Sequence, residues 1–158
     1  MAKPVAVLIL YNLPRAAGGP GGERWAASDA GVLDEVEAVA AALASQGTRF
    51  RKAGVRTLAE VPDALAGGDE SVVFNLVEEL DGGPVDACLI PAVCRAAGRS
   101  CTGSDTPCLL LCADKWQTKA CLAAGGVDTP EACMVRPGEA PVLRDGDVVC
   151  LMSPIAGG

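Results

Sequence analysis

Residues 5–12 read VAVLILYN, an apolar run that meets a polar side chain only at its end. A strand with one wet face alternates apolar and polar residues. A run without alternation belongs to a strand buried on both faces, which is the signature of a parallel sheet covered by helices. That stretch reads as a buried parallel strand.

The rest of the chain follows the same logic. Residues 13–27 are rich in glycine and proline and read as a long loop. Asp29 then stands where a helix cap would, followed by Leu33, Val36, Ala40 and Leu43 on one helical stripe, with Asp34, Glu35 and Glu37 in the first turn. Gly47 ends this helix. Residues 48–55 alternate and suit a second strand at an edge. Thr57 and Glu60 have capping-box spacing for a short helix ending near Gly67.

Residues 71–76, SVVFNL, form a third buried strand, and 85–98 a helix stopped by Gly98. The segment SCTG at 100–103 is a short strand. Thr106 and Pro107 open another helix. Asp114 and Gln117 can cap one more, over 115–124, closed by Gly125 and Gly126. Two late strands are expected near 132–136 and 147–152. Strand and helix in alternation give an α/β fold, a Rossmann-like parallel sheet flanked by helices. The alternation stops near 113–130, so the expected division is 1–113 and 114–158.

Ligands of such sheets bind outside the carboxyl ends of the strands. In this chain those ends are Tyr11-Asn12, Asn75 to Glu79, and Thr102-Gly103-Ser104. The net charge of −7 disfavours nucleic acid and anionic lipid as partners. No stretch approaches the roughly 20 apolar residues that span a bilayer, so membrane insertion is not expected and the expected location is the cytoplasm. There are eight cysteines, no histidine and no Cys-x-x-Cys pair, which argues against a zinc site. The cysteines read as small core residues in a reducing compartment, with an iron–sulfur or thiol-redox role as the alternative.

Four segments in order carry a resemblance: SDAGVLDEVEAVAAAL (28–43), VVFNLVEELDG (72–82), TGS (102–104) and LCADKWQTKACLAAGGVDTP (111–130). Together they resemble the D-alanine–D-alanine ligase group of ATP-grasp enzymes, over about residues 5–130. The resemblance implies a Rossmann-like pre-ATP-grasp domain followed by a short, incomplete start of the ATP-grasp domain. It implies a reaction that joins a carboxylate to an amine through an acyl-phosphate, with ATP and magnesium. Lys115, in the "DK" motif, takes the role of reaching the nucleotide phosphates. This implied role would account for Lys115; Lys119, four residues further on, is assigned no contact. Asp29 corresponds to the acidic residue near the substrate ammonium, and Asn75 and Glu78 to contacts of an amino acid or dipeptide substrate.

The chain also departs from the family. Residues 13–27 lack its Gly-Gly-x-Ser-x-Glu pattern, and Ser153 precedes Pro154 where the family has lysine. The family's glycine-rich loop, adenine hinge, magnesium carboxylates and acyl-phosphate arginine would lie beyond residue 158. The expectation is therefore a ligase portion inactive alone, completed by a homodimer partner or a second chain. The alternative is a non-catalytic α/β module that binds a small ligand, or a subunit of a split ligase.

Overall fold

The computed structural model describes residues 5–14, 22–133, 135, 138, 139 and 142, with side chains of the first helix from residue 31 onward. The chain divides into two compact units, 1–110 and 111–158.

The first unit is an α/β layer structure. Strand β1 (Ala6–Asn12) is followed by helix α1 (Gly22–Ser45), β2 (Arg49–Val55), a 3-10 turn at Leu58–Glu60, α2 (Val61–Ala66) and β3 (Val72–Leu76). Helices α3 (Pro84–Cys88) and α4 (Ile90–Ala96), strand β4 (Ser100–Cys101) and helix α5 (Thr106–Ala113) complete the order, and α5 runs across the division between units. The four strands make one sheet, in the order β2-β1-β3-β4, with every pairing parallel. The uninterrupted run at 5–12 is thus an interior strand, and the alternating segment at 49–55 is an edge.

Pleating sends successive side chains of β1 to opposite faces. Leu8 and Leu10 join Val55, Val61, Leu65, Val73, Ile90 and Cys94 on the face covered by α2 and α4. Ile9 joins Val32, Val36 and Ala40 of α1 on the other face. Leu8, Ile9 and Leu10 are all 0% exposed, and each contributes about 1.5–3 kcal/mol by leaving water. Strand β2 repeats the pattern with polar tips. Lys52 reaches Glu37 of α1 at 2.7 Å, while its neighbour Arg51 donates to the Ala64 carbonyl of α2 at 2.8 Å.

The amino edge of the sheet is closed by ions. Glu70, just before β3, is 6% exposed. Arg51 binds it in two-pronged fashion, Nε to Oε1 at 2.8 Å and Nη2 to Oε2 at 3.1 Å. Arg99, just before β4, approaches Oε2 at 3.8 Å and donates to the carbonyls of Leu65 and Gly68. These arginines cap the last carbonyls of α2 while neutralising the buried carboxylate.

Several expectations are corrected. The first helix begins at Gly22, not at Asp29, so Asp29 lies inside α1 and is not its cap. The segment Glu23–Ala27 holds good helix formers that outweigh the glycines before it, and Asp34, Glu35 and Glu37 consequently sit mid-helix. Residues 15–21 lie outside the described residues. The helix expected over 85–98 is broken at Leu89 into α3 and α4. Pro91 has no N–H for the carbonyl of Ala87 and crowds it. The Thr57–Glu60 capping box does not form, because Glu60 accepts the N–H of Arg56 at 2.8 Å instead. Of the late strands, residues 147–152 and positions 134 and 136 lie outside the described residues, and 132, 133 and 135 carry no strand.

The second unit contains helix α6 (Lys115–Ala124). No helix among the described residues is long and apolar enough to cross a membrane.

Candidate functional site

The strand order places a switch point between β1 and β3. From β1 the chain moves one way to β2, then crosses to β3 on the other side. At such a point the connections diverge and leave a crevice outside the carboxyl ends of the two strands. Asn12 ends β1 and Leu76 is the last residue of β3.

Three hydrogen bonds shape this edge. The N–H of Glu78 donates to Asn12 Oδ1 at 3.2 Å, bridging β1 and the loop after β3. The N–H of Val77 donates to Asn75 Oδ1 at 3.2 Å, a local turn made by the asparagine side chain. The N–H of Asn75 donates to Thr102 Oγ1 at 3.0 Å, which ties β3 to the residue after β4. Gly103 follows with φ +88°, a left-handed backbone conformation that glycine adopts without a Cβ clash.

Of the residues expected at the site, Asn75 and Glu78 come together here. Their backbone roles differ from their side-chain roles. Asn75 spends its oxygen on the turn and keeps its amide NH2 unbonded among the described residues. Glu78 is exposed, and among the described residues its carboxylate has no hydrogen bond or ion pair, although its backbone is anchored. Asn12 and Thr102, recognised only as strand ends, turn out to hold the edge together. A short polar residue closing an apolar strand was the available signal.

The other flank of β1 carries a cation. Arg56 follows the end of β2, is exposed, and donates from Nη1 to the Pro14 carbonyl at 3.1 Å. The N–H of Asp81 donates to the Arg56 carbonyl at 2.9 Å, linking the loops after β2 and β3. The edge therefore presents a guanidinium after one neighbour of β1 and a carboxylate after the other.

Lys115 belongs to the second unit, at the first position of α6. Asp114 caps this helix, as its spacing to Gln117 implies. Its Oδ1 accepts from the N–H groups of Trp116 and Gln117, both at 2.9 Å, and its Oδ2 accepts from the Gln117 side chain at 2.8 Å. The backbone bond from Gln117, with its side-chain bond and the bond from Trp116, holds the Asp114 carboxyl below the usual range. These bonds fill the amides that would otherwise welcome a phosphate. Lys119 Nζ donates to the Pro130 carbonyl. For a nucleotide the helix thus offers the Lys115 ammonium but not the N–H groups of Trp116 and Gln117, and no group of three potential metal ligands occurs among the described residues. Asp29 stands within α1, and its side chain lies outside those described.

A groove of about 410 Å³ lies between α2 and α4, lined by Pro62, Leu65, Ala66, Val93, Ala96, Ala97 and Arg99. Its one charged group, Arg99, is committed to Glu70 and two carbonyls. The polar carboxyl edge is the better ligand site, since it offers the Glu78 carboxylate without a side-chain partner among the described residues and an Arg56 guanidinium bonded to one carbonyl and to no carboxylate there.

No family model, curated protein or solved structure matches the chain.

Proposed function

We propose that the chain is the amino-terminal part of a D-alanine–D-alanine ligase-like carboxylate–amine ligase of the ATP-grasp kind, and that its contribution is to bind an amino acid or dipeptide. The observation that carries this is the switch-point crevice, where the backbone of Glu78 is pinned to Asn12 while its carboxylate stays uncommitted. Glu78 would take the ammonium group, Arg56 the carboxylate, and the Asn75 amide a carbonyl or carboxylate oxygen. In this reading residues from Lys115 onward begin the ATP-grasp portion. ATP and magnesium would be held chiefly by elements other than the described residues, of this polypeptide, a second copy or a second chain. Lys115 would supply one phosphate contact. The reading carries a cytoplasmic location, where ATP and reduced thiols are kept.

A second reading, a small-ligand module without catalysis, is favoured by the Asp114 cap, which fills the helix start that a nucleotide would use. Both readings are tested by calorimetry with D-alanine, L-alanine and the D-alanyl-D-alanine dipeptide, with and without magnesium-ATP. Amino-acid or dipeptide binding that is lost in Glu78→Gln supports the crevice. Added heat from magnesium-ATP that disappears in Lys115→Ala supports the ligase reading over the module. Absence of any amino-acid or dipeptide binding overturns both.

A further inference from the structure

We infer that the outer edge of β2 is the interface of a two-fold homodimer, in which the β2 strands of two copies pair antiparallel, centred on Lys52, into one continuous sheet. The inference stands apart from the ligase reading.

It rests on a row of backbone groups that ends symmetrically. Strand β2 is an edge, paired with β1 alone among the described residues. The carbonyl of Val55 accepts the N–H of Leu13 at 2.9 Å, so Val55 faces β1. The backbone groups of successive residues point to opposite sides of a strand. Arg51 and Ala53 therefore face β1 as well, while Phe50, Lys52 and Gly54 turn their N–H and C=O groups outward. The row stops at both ends. The N–H of Thr48 is held by the Leu43 carbonyl at 3.0 Å, and that of Arg56 by Glu60 Oε2 at 2.8 Å. Among the described residues, nothing bonds the outward groups of the three residues between them.

Lys52 is the midpoint of that row. A second copy turned around it sets Phe50 opposite Gly54, Lys52 opposite Lys52, and Gly54 opposite Phe50. Each is a pair that exchanges both of its N–H···O bonds. Every open group in the row thus finds a partner. A surface that complements itself is what an isologous interface requires. A strand of another protein would gain nothing from that centring.

Charge agrees with the pairing. The chain carries −7, so most of its surface repels a second copy. Basic side chains on an edge strand commonly keep other strands away. Here each one is tied to a carboxylate of its own copy: Arg49 to Asp69 at 3.1 Å, Arg51 to Glu70 at 2.8 Å and Lys52 to Glu37 at 2.7 Å. The edge is neutral, and the Lys52 side chain is drawn back onto α1. The two-fold brings two Lys52–Glu37 ion pairs side by side, so each ammonium meets the other with a carboxylate beside it. Phe50, packed partly against the α1 cluster, lies across from a glycine, the pairing in which an aromatic ring covers an edge glycine.

The test is sedimentation equilibrium of the full chain from micromolar to millimolar concentration, with amide hydrogen exchange at both ends of the range. Dimer should form as concentration rises, and exchange at Phe50, Lys52 and Gly54 should slow with it. Arg51 and Ala53, which face β1, should be protected throughout. Lys52→Pro removes an outward N–H and no bond of the existing sheet, a substitution that an edge strand accepts. It should keep the fold, shown by its amide spectrum, and weaken association by about tenfold or more. A chain that sediments as a monomer at millimolar concentration overturns the proposal. So does a dimer whose three outward amides exchange as fast as in the monomer, which places the contact on another face. Protection of those amides in the dilute monomer overturns it too, because the chain itself would then cover the edge. A folded Lys52→Pro that associates like the wild type has the same consequence. The wild-type readings decide the matter even without the variant.

Discussion

The side-chain oxygen of Asn12 accepts the backbone N–H of Glu78 at 3.2 Å, across 66 positions of sequence. One residue closes the interior strand of the sheet. The other opens the loop that follows its neighbour. Their bond fixes where the Glu78 carboxylate emerges from the carboxyl edge. Replacing Asn12 by alanine removes the acceptor and leaves Glu78 N–H to water. The expected cost is about 1 kcal/mol of folding stability, read by urea denaturation. Amino-acid affinity should fall more than that stability loss explains, since the carboxylate is no longer positioned. An affinity equal to the wild type would remove Asn12 from the site.

The ion cluster at the opposite edge sets an acid limit. Hydrogen bonds from Arg51 hold the Glu70 carboxyl below the usual range, against the opposing effect of burial. A carboxyl with a lowered folded pKa stabilises the fold fully above its unfolded value, about 4.3 for glutamate. That contribution is lost as the pH falls through the folded value, because unfolding then takes up a proton. Glu70→Ala should cost about 3 kcal/mol at neutral pH by leaving Arg51 and Arg99 uncompensated. Glu70→Gln should flatten the decline in stability below pH 5. Denaturation midpoints across pH 3–7 check both.

Helix α1 carries a removable weakness. Gly31 lies in its interior, and a Cβ built there meets nothing within 4 Å. Gly31→Ala should therefore raise stability by about 0.5–1 kcal/mol through the unfolded chain's lost freedom. A lower midpoint would contradict the helix as described at that position.

At α6 the capping carboxylate and an incoming phosphate would compete for the same amides. Asp114→Ala should loosen the first turn of α6, seen as faster hydrogen exchange at Trp116 and Gln117. If Lys115 contacts nucleotide, the same variant should bind magnesium-ATP more tightly than the wild type. Unchanged or weaker binding would place the nucleotide elsewhere.

The sheet was legible because parallel strands buried on both faces leave an unbroken apolar trace, as Ala6–Leu10 does. Polar strand ends were legible for the same reason, which is how Asn75 and Glu78 come to share an edge. The start of α1 was not, since glycines ahead of Glu23 read as a loop while the alanines after it favour helix. The break at Leu89 was written in Pro91 but hidden by the helical residues on both sides. The pairing of Glu70 with Arg51 and Arg99 joins three separate segments, and no local pattern announces such a contact.

The most direct measurement is an amide-shift titration of the isotope-labelled chain with D-alanine and with the D-alanyl-D-alanine dipeptide. The account predicts saturable shifts gathered at residues 11–13, 56, 75–79 and 102–104, absent in Glu78→Gln. Shifts centred on the groove between α2 and α4, or none at millimolar ligand, would contradict it.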